Sequence, residues 1–297
     1  MMPTVAANGI ELAYDSFGEA DRDAILLISG LGTQMIRWTV PFCEGLAERG
    51  YRVIRFDNRD AGLSSHFRQY PPPDFNALAA SLMSGQQPEV CYTLNDMAAD
   101  GIGLLDALRI NKAHVVGRSM GGMIAQIMAS DHAHRVLSLA SIMSSTGNPA
   151  LPQVAPDMMA MMLRPTPDPS VDEAGFVSHS LAFARRIAGS GYPFDAEEHR
   201  CLVLEEARRA YDPGGSGRQL AAMAVAGDRR HCLATIAKPT LVVHGMDDPI
   251  FPPDCGKDTA ASIRGADLIL MDGMGHDLPT GLHSKIIGAI DRTALQA

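Results

Sequence analysis

Short apolar runs, separated by stretches with helical spacing, limit the architectures open to this chain. The clearest four are AILLIS (24–29), RVIRFD (52–57), HVVGRS (114–119) and TLVVHG (240–245), and weaker ones lie at 136–143 and 267–272. Nearly continuous apolar runs of this length are typical of strands buried on both faces. Between them, 93–110 has helical spacing and opens with the capping-box pattern Thr93-x-x-Asp96. This alternation predicts an α/β fold, with a mostly parallel central sheet and helices on both faces.

The alternation stops between about residues 145 and 227. This stretch begins with the proline-rich passage NPALPQVAPD and continues with helical segments such as AEEHRCLVLEEARRA. The strands on either side belong to one pattern, so the stretch is an insertion rather than an independent domain. We therefore predict a core formed by 1–144 and 228–297, with a helical cap inserted at 145–227.

Composition and charge exclude several classes of function. With 46% apolar and 20% charged residues, the 297-residue chain has the composition of a globular protein that needs no disulfide to complete its core. A net charge of −9 without a clustered basic face argues against a nucleic-acid partner. Five scattered cysteines with no C-x-x-C pattern indicate a reducing compartment. No signal peptide or membrane-spanning run is visible, so we expect a cytoplasmic protein that is not anchored to a membrane.

The stretch HVVGRSMGG places Ser119 between two glycines directly after a predicted strand. Serine and glycine are ordinary turn residues, so this match alone is also explained by a tight turn. The sharper interpretation is a nucleophile held on a strained turn between a strand and a helix. That interpretation requires a base and an orienting acid elsewhere in the chain.

Both partners follow predicted strands, where the carboxyl ends of a parallel sheet can bring them together. After TLVVHG come Asp247 and Asp248, and after the run at 267–272 comes His276. Spacing alone does not choose between the two aspartates. The chain order Ser, Asp, His is one of the known orders of a catalytic triad.

An oxyanion hole needs two backbone N–H groups near the nucleophile. Met120 supplies the first because it follows Ser119. The loop SGLGTQ can supply the second from Leu31, since Gly30 and Gly32 allow the backbone to approach a substrate closely.

Taken together, these motifs resemble the serine-nucleophile α/β-hydrolase family, in particular its carboxylesterase and methylesterase branch. The resemblance rests on SGLG, FDNRDAGLSS, GRSMGG, HGMDDPIFP and GMGH, which together span nearly the whole core. It implies the α/β-hydrolase fold, and its HG-x-x-D pattern selects Asp248 as the acid. Two positions depart from the family pattern: Ser29 replaces the histidine of H-G, and Asp60 replaces the second residue of R-G.

The leading hypothesis is therefore a carboxylesterase-type serine hydrolase that acts on a small-molecule ester. Ser119 would form an acyl-enzyme, His276 would be the base and Asp248 would orient it. A lactonase, a C–C bond hydrolase and a cofactor-free perhydrolase could use the same three residues. A small-molecule-binding module without turnover is the alternative from another class, although a binder does not need all three groups.

Other candidate sites have simpler explanations. GLGTQM has Met35 where the dinucleotide fingerprint needs Gly or Ala, and we expect neither cofactor nor metal. His244 is interpreted as a structural hydrogen-bonding residue. Met159 and Met162, in the run MMAMML, are either core residues or an adaptable pocket lining. Trp38 has the same two interpretations, and Gly30 is a candidate substrate contact.

Overall fold

The computed structural model describes residues 2–71 and 73–297 and contains one eight-stranded sheet. The strands are β1 (Thr4–Ala7), β2 (Ile10–Phe17), β3 (Ala24–Ile28), β4 (Arg52–Phe56), β5 (Ala113–Arg118), β6 (Val136–Ile142), β7 (Thr240–Gly245) and β8 (Asp267–Met271). Their order is β1-β2-β4-β3-β5-β6-β7-β8. The pairs β1/β2 and β2/β4 are antiparallel and all the others are parallel. The prediction of a mostly parallel sheet is confirmed.

Eleven α-helices are present in the described residues. They are α1 (Val40–Ala47), α2 (Phe75–Met83), α3 (Leu94–Ala107), α4 (Met120–Asp131), α5 (Pro156–Leu163), α6 (Glu173–Ile187), α7 (Ala196–Arg209), α8 (Gly215–Val225), α9 (Arg230–Leu233), α10 (Pro253–Ser262) and α11 (His283–Ala294). None of them is long and apolar enough to span a membrane. The capping box predicted at Thr93 and Asp96 is present at the start of α3.

Apolar side chains cover both faces of the sheet. On one face, α3 and α4 pack on Leu26, Val115 and Leu139. On the other, α1 and α11 pack on Leu27 and Val116. The inner parallel strands β3, β5, β6 and β7 are therefore buried on both faces, which explains why they read as continuous apolar runs rather than alternating ones. The edge strand β8 is only partly buried.

Helices α5 to α8 all lie between β6 and β7 in the chain, within the segment 145–227, which we call the cap segment. Their placement agrees with the prediction of helices in this segment. The division of the chain into a core and a cap stays a prediction.

The N-terminal hairpin of β1 and β2 was not predicted from the sequence. Its turn is Asn8-Gly9, and both residues have positive φ angles, 49° and 77°. Asn-Gly between extended segments is the strongest local signal for a two-residue hairpin turn, because both central positions need the left-handed region. The signal was therefore present in the sequence.

Candidate active site

Ser119 lies on a sharp turn between β5 and α4. Its backbone is in a strained region, with φ 54° and ψ −123°, which costs about 1–3 kcal/mol for a residue with a side chain. The close packing of strand and helix explains the flanking glycines: a Cβ on Gly117 would lie 2.0 Å from Gly121 O, and one on Gly121 would lie 2.2 Å from Ile28 O. The turn leaves Ser119 partly exposed at the carboxyl edge of the sheet.

His276 connects Ser119 to Asp248. Its Nε2 lies 2.9 Å from Ser119 Oγ, and its Nδ1 lies 2.7 Å from Asp248 Oδ2. Because Nδ1 faces a carboxylate, it carries the proton, and Nε2 is then free to accept the serine hydroxyl proton. The structure thus brings together the three residues that the sequence selected, in the geometry of a nucleophile, a base and an orienting acid.

Asp248 is held in place by the turn that follows β7. Its Oδ1 accepts hydrogen bonds of 2.8 and 2.9 Å from the N–H groups of Ile250 and Phe251, and its side chain is buried. The neighbouring His244 is fully buried, and its Nε2 lies 2.7 Å from Phe251 O. Burial lowers the pKa of His244, so this imidazole is neutral at pH 7 and donates to that carbonyl. His244 therefore supports the turn, as a structural hydrogen-bonding residue.

Asp247 points away from His276 and contacts the cap segment instead. Its Oδ2 accepts hydrogen bonds from Ser190 N at 2.9 Å and Ser190 Oγ at 2.5 Å. These bonds hold the pKa of the Asp247 carboxyl below its usual range. The two adjacent aspartates thus have different partners: Asp248 contacts His276, and Asp247 contacts the cap segment.

The loop that carries His276 is bound directly to the cap segment just after α6. His276 N donates to Ile187 O at 2.8 Å, and Gly191 N donates to Gly273 O at 2.9 Å. The contact is made between backbones: a Cβ on Gly189 would lie 2.0 Å from Gly273 O. We call this contact, formed by residues 187–191 and 273–276, the clasp. Sequence reasoning missed it because the two segments are far apart in the chain.

The loop after β3 approaches Ser119 closely. A Cβ on Gly30 would lie 3.3 Å from Ser119 Cβ. Gly32 N donates to Gln219 Oε1 at 2.7 Å, and Thr33 N donates to Gly30 O at 3.3 Å. Leu31 N, between them, donates to no other described residue. Its N–H is therefore available to a ligand.

Two side chains that were not predicted from the sequence support this loop through hydrogen bonds to its backbone. Gln219, on α8, binds Gly32 N through its oxygen and donates from Nε2 to Arg59 O at 2.7 Å. Asn58 donates from Nδ2 to Ser29 O at 3.0 Å. No local pattern marks either residue, since both bonds join segments that are distant in sequence.

Met120 is the first residue of α4, so its N–H has no partner within the helix. The N-terminus of this 12-residue helix also carries a partial positive charge. An oxygen that gains negative charge beside Ser119 would be stabilised by both features.

A comparison with known proteins agrees with this architecture. A model of the α/β-hydrolase fold family matches residues 23–169. The chain has the α/β-hydrolase fold. Rhodomycin D methylesterase DnrP of Streptomyces peucetius is 29% identical, with 97% of each chain covered. A putative carbamate hydrolase, RutD of Variovorax paradoxus, is also 29% identical, over 93% of this chain and 90% of its own. The crystal structure of an enol-lactonase from Burkholderia xenovorans has a TM-score of 0.68 at 24% identity, covering 99% of this chain and 98% of the other.

The comparisons support a hydrolase. The structure explains one departure from the family pattern. Asp60 stands where the α/β-hydrolase motif has a glycine, and its φ of 65° lies in the left-handed region that glycine prefers. Its buried carboxylate accepts hydrogen bonds of 2.8 and 2.7 Å from Arg218 on α8 and one of 2.7 Å from Tyr92 Oη. The aspartate therefore binds the cap segment to the core at a position where the family pattern has no side chain.

Asp60, His66 and Asp212 form the only group of three or more potential metal-ligand side chains with their ligand atoms close together among the described residues. Arg218 Nη2 already occupies the space between the two carboxylates, 2.7 Å from Asp60 and 2.9 Å from Asp212. A guanidinium bound in this way neutralises the cluster and repels a cation. The cluster is an ion-pair network.

The side chains predicted to contact substrate occupy different environments. Trp38 is fully buried, with its ring centroid 5.3 Å from that of Phe42. Core packing accounts for this burial, and a contact of Trp38 with substrate stays a prediction. Met159 and Met162 lie on α5, where Met159 is exposed and Met162 is partly exposed. Their role in a pocket also stays a prediction.

Proposed function

We propose that the protein is a carboxylic-ester hydrolase that forms an acyl-enzyme on Ser119. The observation that carries the proposal is the hydrogen-bond chain from Ser119 Oγ through His276 to Asp248, with lengths of 2.9 and 2.7 Å. A methylesterase relative that aligns over 97% of this chain supports the same reaction class.

The first half of the reaction transfers the acyl group to the enzyme. Ser119 Oγ attacks the ester carbonyl carbon while His276 Nε2 accepts the hydroxyl proton. The carbonyl oxygen becomes an oxyanion and is stabilised by the N–H groups of Leu31 and Met120. The bond to the alcohol oxygen then breaks, and His276 returns its proton to the leaving alcohol.

The second half releases the acid. Water attacks the acyl-enzyme carbonyl while His276 Nε2 accepts a proton from it. The bond to Ser119 Oγ breaks, and the serine recovers its proton from the imidazolium. Throughout, Asp248 holds the imidazole orientation and stabilises its positive charge.

The proposal is tested by a panel of p-nitrophenyl esters of increasing chain length, methyl esters of bulky acids and lactones. Turnover of acyclic esters supports the proposal, whereas turnover of lactones alone would assign a lactonase. Stoichiometric binding of a panel member without any turnover would favour a binding module and contradict the proposal.

Removing divalent metal is expected to leave ester hydrolysis unchanged. The mechanism stabilises the oxyanion with backbone N–H groups and takes its nucleophile from Ser119. Activity should therefore survive dialysis against a strong chelator. Loss of turnover that one added divalent metal restores would contradict this mechanism.

A side chain in the clasp is expected to disturb catalysis. In Gly189→Ala the new Cβ would meet Gly273 O and Gly275 N at 2.0 and 2.4 Å, so the loop that carries His276 must shift. A displacement of about 1 Å costs up to roughly 100-fold in rate, so we expect kcat to fall by about 10- to 100-fold.

The matched control for the clasp is Gly217→Ala on α8. Its new Cβ would meet nothing closer than Pro73 Cδ at 3.6 Å, and alanine suits a helix better than glycine. Both variants are assayed on one ester after their folding is verified by circular dichroism. Equal kcat values would show that the clasp does not position His276.

Shortening the methionines of α5 is expected to change substrate preference. For Met159→Ala and Met162→Ala we expect the kcat/KM ratio between a long-chain and an acetate ester to change by about 10-fold, the scale of one lost apolar contact. Met83→Ala is the control, because Met83 is 89% exposed at the end of α2. Equal losses on both esters would indicate a stability effect instead.

A further inference from the structure

Arg118 ends β5 and immediately precedes Ser119, so the two Cα atoms are about 3.8 Å apart. Its guanidinium lies 5.4 Å from the centroid of the Trp38 ring, and its Nη1 makes one long hydrogen bond of 3.5 Å to Arg37 O. A guanidinium has five N–H donors. The side chain is only partly exposed, and its other donors make no hydrogen bond to a described residue. These donors are available to a ligand that reaches the carboxyl end of β5, where Ser119 follows.

Five other arginines with little exposure in the described residues have close partners. Carboxylates bind four of them: Arg55 with Asp15, Arg59 with Asp100, Arg209 with Asp57 and Arg218 with Asp60. A fifth, Arg229, donates to Ser145 O at 2.6 Å and Gly227 O at 3.2 Å. Arg118 has neither arrangement, although an unpaired charge removed from water costs stability.

The nearest candidate carboxylates do not compensate this charge by direct contact. Glu206 receives hydrogen bonds of 2.8 and 2.7 Å from Arg37, so its carboxylate is already committed. Asp277, which follows His276, has a buried Oδ1 without a partner in the described residues. Burial raises the pKa of Asp277, while the charges of His276 and Arg118 oppose that shift. Burial and the charge of Arg37 together lower the pKa of Arg118 to about 10, so Arg118 stays protonated at neutral pH.

We propose that Arg118 forms a carboxylate-binding subsite beside Ser119, so that the preferred ester carries a free carboxylate on its acyl or its alcohol part. The planar guanidinium matches a carboxylate with two parallel hydrogen bonds, and a neutral chain offers no such partner. This subsite gives the proposed ester hydrolase its substrate class, and it rests on that proposed function.

The test compares two matched pairs of substrates. Methyl hydrogen glutarate and its amide analogue methyl 4-carbamoylbutanoate differ in charge on the acyl part, and acetoxyacetate and acetoxyacetamide differ in charge on the alcohol part. In the native protein kcat/KM should favour the carboxylate of one pair by about 10- to 100-fold, the scale of a charge-assisted hydrogen bond. The pair that shows the preference identifies the part of the ester that Arg118 binds.

Variants then assign the preference to Arg118. In Arg118→Gln the ratio of kcat/KM between the carboxylate and the amide substrate should fall close to 1. In Arg118→Lys it should lie between the native value and that of Arg118→Gln, because lysine keeps the charge but lacks the planar guanidinium. Arg200→Gln is the control, since it removes an equal charge from the exposed face of α7. Its ratio should match that of the native protein. A preference that persists in Arg118→Gln would overturn the proposal.

Two further results separate this proposal from others. In one of them, the native protein has equal kcat/KM values within both pairs, and a preference for the carboxylate substrate appears only in Asp277→Asn. This result would show that Arg118 compensates the charge of Asp277 in the native protein, and it would overturn the subsite. Calorimetry with glutarate and the Ser119→Ala protein gives a readout that is independent of turnover. If glutarate binds and Arg118→Gln abolishes this binding, the subsite is supported even if no ester is cleaved. If esters are cleaved without any preference for a carboxylate, the subsite is contradicted and the proposed ester hydrolysis is not.

Discussion

Ser119→Ala is expected to lower kcat on a good ester by about 10⁶-fold, the loss found when the nucleophile of a serine hydrolase is removed. Ser119 Oγ is the proposed acyl acceptor, and the variant leaves His276 without a proton donor at Nε2. The strained backbone at this position is unchanged, so folding should be preserved. Steady-state kinetics with thermal unfolding as a parallel measurement test the expectation.

A serine outside the site serves as the control for this variant. Ser262, whose hydroxyl bonds only to Asp258 O one turn earlier in α10, should be replaceable by alanine without loss of turnover. If Ser119→Ala retained more than about one thousandth of the native rate, another group would be the acyl acceptor, because removing any triad member costs far more than this.

Asp248→Asn is expected to cost about 10⁴-fold in kcat, because an amide favours the wrong imidazole tautomer. The asparagine keeps the size of the side chain, so the turn after β7 should persist. Asp247→Asn is the adjacent matched control. It weakens the contact with Ser190 and leaves the bond to His276 Nδ1 intact, so its loss should be far smaller. A greater loss at Asp247 than at Asp248 would reverse the assignment.

The three residues of the proposed triad could be located from the sequence because each one follows a strand that can be recognised locally. Ser119, Asp248 and His276 come after β5, β7 and β8, and a parallel sheet gathers the ends of these strands at one edge. Their order in the chain and the motifs around them were enough to choose these three without coordinates.

The supports of the site were not predictable in this way. Gln219 and the clasp glycines bind backbone groups far away in the chain, so no local pattern identifies them. The role of Asp60 was also not predictable from the sequence. Its sequence position looked like a departure from the motif, and only the structure shows the positive φ and the pairing with Arg218 that make an aspartate suitable there.

The central claim, acyl transfer to Ser119, is tested most directly by covalent labelling. The protein is treated with a p-nitrophenyl phosphonate, and the modified peptide is mapped by mass spectrometry while residual ester hydrolysis is followed. The account predicts one phosphonyl group per chain, located on Ser119, with loss of activity in proportion to labelling and no labelling in Ser119→Ala. A label on another residue such as Cys201, or full inactivation without modification of Ser119, would contradict it.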